Sequence, residues 1–142
     1  MKKHYQVLIC ILITMVISQG LTAQQLVSGE TKRYIVIENS DEYFKEANGQ
    51  IEIRDFLVYN IPDGESSKPY HVEINELSNV IKFGISSKAE TVSNTRRCTL
   101  IMNSTNYIDT YRKVLSKLGV EVIFLSGERL HVDEFYQMSI DN

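Results

Sequence analysis

Between residues 107 and 118 the apolar side chains Tyr107, Ile108, Tyr111, Val114, Leu115 and Leu118 recur at the period of an α-helix. This stripe is the most restrictive pattern in the chain, because it buries nothing unless a second apolar surface lies against it. The spacing predicts a helix over 105–118. Ser104 or Thr105 would cap its start, Arg112, Lys113 and Lys117 suit its negative C-terminal end, and Gly119 supplies the residue that ends it.

The opposing surface has to come from strands, since β-rich runs dominate the rest. Tyr34-Ile35-Val36-Ile37 is one, Tyr70, Val72 and Ile74 alternate with polar residues in a second, and 96–103 and 120–125 supply two more. Residues 77–85 fit both periods, and Gly84 with its β-rich neighbours favours strand. In 50–61, Ile51, Ile53, Leu57 and Tyr59 alternate, but Asp55 breaks that face while Phe56 and Val58 lie opposite. The interruption predicts a bulge, or two strands joined at Asp55. Asn39 and Ser40 followed by Asp41 and Glu42 predict a short helix over 41–48, with Tyr43, Phe44 and Ala47 inward and Asn48-Gly49 as its stop. Pro62-Asp63-Gly64 reads as a turn, and Ser126-Gly127 as a turn returning a hairpin through 129–132. Residues 133–138 either extend that strand or begin a terminal helix.

Strand runs with few helices point to the α+β class. The expected architecture is a single mostly antiparallel sheet, one main helix over 105–118 packed on one face, and a short helix near 41–48. The other face is solvated or used for an interface.

Ahead of this domain, Lys2 and Lys3 precede an apolar run from Val7 to Ile17, and Leu21-Thr22-Ala23 offers a small residue at a cut. That pattern is an export signal, and the run is shorter than the roughly 20 apolar residues a spanning helix needs. The expectation is cleavage after Ala23, a single small domain over 24–142, and a periplasmic or extracellular destination without a stable membrane anchor. Cleavage takes Lys and Arg from 15 to 13 against 18 acids, moving the formal charge from −3 to −5. That balance gives no electrostatic reason to expect a nucleic acid partner. Cys10 leaves with the signal, and Cys98 then has no partner for an internal disulfide. Its alternating setting puts it on the Leu100 and Met102 face as a buried thiol.

Few residues carry a chemical signature. His71 and Glu73, and His131 and Asp133, are each two apart, so on strands each pair would share a face. Were the two strands neighbours, four N and O ligands of the kind zinc accepts would converge, with Glu128 or Glu134 as a base on a bound water. Polar residues on the wet face of amphipathic strands give the same spacing. Seven of the eight tyrosines lie beyond residue 23, and Tyr70, Tyr107 and Tyr136 are candidates for a recognition face, where a tyrosine ring adds contact area at low entropic cost. The strand read at 70–74 could also accept a partner strand at an edge.

The order Tyr70-His71-Val72, then Ile81-Lys82-Phe83-Gly84, then Arg96 and Arg97, resembles the GIY-YIG nuclease pattern over about 30 residues. The resemblance implies tyrosine-bearing strands and an arginine on a following helix. The chain departs from it in lacking Gly-Ile before Tyr70, in carrying Phe at 83, and in placing its arginines at the start of a strand signal.

No glycine-rich phosphate loop or nucleophile elbow is present, and no cofactor is expected. The reading is an exported noncatalytic module that binds a protein or envelope component. The alternative is a small exported metal-dependent hydrolase or nuclease-like enzyme.

Overall fold

The computed structural model describes residues 29–90 and 92–141. The apolar run, Cys10 and the cut at Ala23 lie outside the described residues. The chain forms two compact units, Met1–Thr31 and Lys32–Asn142. Of the first, only residues 29–31 are described, and every element below belongs to the second.

That unit is α+β, with an open, mostly antiparallel sheet of seven strands and four helices among the described residues. The strands are β1 (Tyr34–Ile37), β2 (Lys45–Ala47), β3 (Gln50–Tyr59), β4 (Val80–Ile85), β5 (Thr95–Asn103), β6 (Val122–Leu125) and β7 (Glu128–His131). Their spatial order is β4-β5-β3-β1-β6-β7, with β2 paired to β3, and the pairing of β1 with β6 is parallel. The helices are α1 (Ser40–Tyr43), α2 (Lys68–Asn75), α3 (Tyr107–Leu118) and α4 (Val132–Ile140). α3 adjoins both α2 and α4.

The bulge expected near Asp55 is present. The β3–β5 register shifts between Ile53 and Phe56, and Asp55 sits at a φ of 53°. One extra residue reverses which parity points inward. Ile51 and Ile53 face the core before the bulge, and Phe56 and Val58 face it afterwards, while Leu57 and Tyr59 turn away. Cys98 lies in the same core with Leu100 and Met102, opposite the α3 residues Tyr111, Val114, Leu115 and Leu118. Burial pushes the Cys98 thiol up to about 12, so it is neutral and inert. On the other side of the sheet Tyr34 stacks on Tyr59 with ring centroids 4.6 Å apart and meets Phe124 edge-on.

Three local expectations are corrected. The helix near 41–48 is a single turn, Ser40–Tyr43, capped by the Asn39 side chain accepting from the Asp41 amide. Residues 45–47 form β2 instead, because Asn48 and Gly49, at φ 55° and 73°, make a two-residue hairpin turn matched to strand twist. Ala47 is therefore exposed.

Tyr70–Ile74 is helix, not strand. Ser67 precedes it and Pro69 falls in the first turn, where a missing N–H costs nothing. Tyr70 and Ile74 are four apart and meet the core, while Val72, the third member of the alternation, is 46% exposed.

The long helix begins at Tyr107, with Asn106 at its cap rather than Ser104 or Thr105. Asn106 has a φ of 55° and makes no side-chain cap bond. The C-terminal end matches expectation, with Gly119 left-handed at φ 71°.

Candidate functional site

Two features flank α3. At its N-terminal end α1, α3, α4 and the end of β6 enclose a groove of about 470 Å³. Its apolar wall comes from Phe44, Tyr107, Ile108, Leu125, Phe135 and Met138, and Ser40, Asp41 and Ser139 supply the polar part. Phe44 is delivered by the one-turn helix, because the chain leaves α1 in extended conformation. Tyr43 and Phe44 join Phe56, Tyr107 and Tyr111 in a network of edge-on and tilted rings. Beneath it the Tyr43 and Tyr111 hydroxyls share a hydrogen bond of 2.6 Å. Burial holds both phenols above their ordinary pKa, so they stay neutral.

α4 reaches this position through the β6–β7 hairpin, whose turn at Ser126-Gly127 pairs Leu125 with Glu128. His131 ends β7 and begins α4 in a capping box. Its Nδ1 accepts from the Asp133 amide at 3.2 Å, and Glu134 accepts from the His131 amide at 2.7 Å. Along α4, Met138 and Ile140 remain 46% and 53% exposed.

At the C-terminal end of α3 lies a polar network. Arg33 donates to the Leu118 carbonyl at 3.0 Å, to the Tyr70 hydroxyl at 2.6 Å and to both Glu65 oxygens at 2.8 and 2.9 Å. Tyr70 also donates to Glu65. That hydrogen bond, together with the Arg33 pair, holds the Glu65 carboxyl below its usual range despite the opposing effect of burial. Desolvation and the hydrogen bond to Glu65 raise the Tyr70 phenol, against the lowering effect of Arg33. Arg96 completes the network from β5. It is fully buried, and its Nη2 donates to the carbonyls of Pro62, Asp63 and Glu65 at 3.2, 2.8 and 3.1 Å. The guanidinium is the post on which the 62–67 loop folds back over the sheet.

The residues singled out in the sequence divide between these regions. Tyr107 lines the groove. Tyr136, one turn along α4, lies under the Arg112 guanidinium at 4.6 Å, and Arg112 also pairs with Asp133 at 2.7 Å. Tyr70 belongs to the polar network, with its hydroxyl committed to Glu65 and Arg33. Because 70–74 is helical, it is no strand edge for a partner to extend.

The strand geometry behind the proposed ligand set is also corrected. His71 and Glu73 sit on α2, where residues two apart point to different sides, and Glu73 pairs with Lys117 of α3 at 3.3 Å. His131 and Asp133 are occupied with the α4 cap. Among the described residues no three His, Cys, Asp or Glu side chains gather to hold a metal ion. The helix at 68–75 equally removes the first tyrosine-bearing strand of the GIY-YIG pattern, and Arg96 and Arg97 lie on a strand.

Phe44, Phe135 and Met138 were absent from the sequence candidates. Their signal was weak, since each reads alone as an ordinary core position and only the fold brings them together. Comparison with protein-family models, curated proteins and solved structures returns no match. No helix among the described residues is long and apolar enough to cross a membrane.

Proposed function

We propose that this chain is an exported, noncatalytic binding module, and that the groove between α1, α3 and α4 is its recognition face. In this reading α3 is the main helix packed across one face of the sheet, and the signal is cut after Ala23. The released domain works in the periplasm or outside the cell on a protein or envelope component, not on nucleic acid, with no stable membrane anchor. The observation that carries the reading is the groove itself. Its volume falls within the range of sites that take small molecules or the anchor side chains of a partner. Exposed Met138 in its wall supplies a flexible, polarizable contact suited to varied apolar surfaces.

The test has two parts. N-terminal sequencing of protein recovered from outside the cytoplasm is expected to begin at Gln24, and recovery with Met1 intact would overturn export. An environment-sensitive apolar dye is expected to bind the folded protein saturably. Met138→Gln should abolish that binding, and Val72→Gln, on exposed α2 surface, should not. Equal loss in both variants would overturn the assignment of the groove.

A further inference from the structure

We propose that the Asn75 side chain is a latch on the edge of the sheet, one that keeps β4 from pairing with the same strand of a second copy of this chain. The proposal is independent of what the groove binds.

An open sheet ends in strands whose outer N–H and C=O groups are a template for a strand of another chain. β4 and β7 end the strand order here. β4 is the longer of the two, and its sequence Val80-Ile81-Lys82-Phe83-Gly84-Ile85 is rich in β-forming residues, with Ile81 47% exposed. Lys82 puts one charge on this edge, which discourages pairing but occupies no hydrogen-bonding position.

The register shows which backbone groups point outward. Phe83 lies opposite Leu100, Gly84 opposite Thr99 and Ile85 opposite Cys98. The Ser86 amide donates to the Arg97 carbonyl at 2.9 Å, so Ser86 faces β5. In an antiparallel ladder, residues bonded to the partner strand alternate with residues whose groups face away. Gly84 therefore bonds to β5, and the backbone groups of Phe83 and Ile85 point outward. Those two residues are where a new strand would attach, beyond the register shift between Val80 and Lys82.

Asn75 holds Phe83 at both groups. Its Oδ1 accepts from the Phe83 amide at 2.8 Å, and its Nδ2 donates to the Phe83 carbonyl at 3.0 Å. A side-chain amide carries one acceptor and one donor group, so Asn75 offers Phe83 what a neighbouring strand would offer. Nδ2 also donates to the His71 carbonyl at 2.7 Å, which fixes the side chain over the edge. Asn75 is the last residue of α2, and residues 76–79 alone join it to β4. That connection is held by the Leu77 amide on the Ile74 carbonyl at 3.1 Å and the Val80 amide on the Leu77 carbonyl at 3.0 Å. With Phe83 taken, Ile85 alone remains, and the hydrogen bonds of one residue do not offset the entropy lost in ordering and docking a strand.

β7 is closed in the same manner. Glu128 lies opposite Leu125 across a two-residue turn, so Arg129 and His131 face outward. The His131 amide is taken by the Glu134 carboxylate at 2.7 Å. At each end of the sheet a side chain from the adjoining helix therefore occupies one of the two outward positions.

Sedimentation velocity of the purified full chain, over a range of concentrations, tests the latch. Asn75→Ala is expected to associate where the parent does not, its apparent mass rising towards twice the parent's. Adding Ile81→Lys should restore the parent's behaviour, because a second charge on an edge strand opposes pairing. Adding Met138→Gln should not. Hydrogen exchange reads the edge directly. In dilute Asn75→Ala the Phe83 amide should exchange at least about tenfold faster than in the parent, and it should regain protection as the variant associates.

Asn75 is exposed, so the variant should keep its fold, which a thermal scan checks. If Asn75→Ala does not fold, Asn75→Gln takes its place in the same assays, since its extra methylene moves the amide off Phe83. A folded variant that associates no more than the parent would overturn the latch. Association undone by Met138→Gln and not by Ile81→Lys would overturn the β4 edge as the contact and put it at the groove. Association that leaves the Phe83 amide unprotected would overturn strand pairing.

Discussion

The two ends of α3 are built on opposite terms. At the C-terminal end Arg33, Glu65, Tyr70 and the Arg96 Nη2 tie the start of β1, α2, β5 and a loop together, while the buried Nε and Nη1 of Arg96 have no hydrogen-bond partner. At the N-terminal end apolar side chains and Asp41 line an open trough. Hydrogen bonds between elements raise stability and fix geometry. An open apolar wall leaves burial free energy unrealised until something arrives. The contrast assigns one end to holding the fold and the other to recognition.

The largest test of that contrast is Arg96→Ala. It removes a buried side chain and strands three loop carbonyls, for which a loss of about 3 kcal/mol is expected. Denaturant unfolding should record this as a lower midpoint at unchanged slope. A loss below about 1 kcal/mol would mean that the 62–67 loop does not depend on the arginine. Next comes Tyr111→Phe, which keeps the ring and leaves the buried Tyr43 hydroxyl without its partner. About 1–2 kcal/mol is expected. This perturbs the floor beneath the groove, so dye binding should weaken along with stability. Unchanged binding would separate the floor from the recognition face.

How much of this was legible depended on how local each signal was. The α3 stripe and Gly119 could be read directly, because both lie within one element. The bulge at Asp55 was visible because a charge interrupting an alternating strand has few other meanings. α2 is ambiguous in the sequence because Tyr70, Val72 and Ile74 satisfy a period of two while Tyr70 and Ile74 also satisfy a helical turn. Pro69, at home in a helix's first turn, is the signal that decides between them. Arg96 was read as the polar start of a strand. Its burial depends on loop carbonyls some 30 residues away, which no window of sequence contains. The groove was half legible: Tyr107 stands out as an aromatic, but its companions Phe44, Phe135 and Met138 come from segments whose sequence signal either draws the helix too long, over 41–48, or leaves strand and helix undecided, over 133–138.

A finer test turns on pH. The Glu65 carboxyl is held below its usual range first by the Tyr70 hydrogen bond and then by Arg33. Its contribution is therefore complete above the unfolded value of about 4.3, and it is lost as pH falls through the lower folded value. Glu65→Gln should cost about 1 kcal/mol at neutral pH, since the pair is partly solvated. The variant should also melt with a flatter pH dependence than the parent between about pH 5 and 3. Parallel curves for the two proteins would mean that the carboxylate is not what ties α2 to β1.

The smallest expected change in stability sharpens the comparison most. Met138 is 46% exposed, so Met138→Gln should alter stability by no more than about 0.5 kcal/mol. Its effect belongs to the bound state, where the thioether would be covered. A variant that melts with the parent but loses the groove's ligands separates recognition from folding at one residue. Glu65→Gln should do the reverse, lowering the melting temperature while leaving groove binding intact. If instead both variants lost stability and binding together, the two ends of α3 would be one cooperative unit, and the polar network would be setting the position of the groove wall through the helix between them.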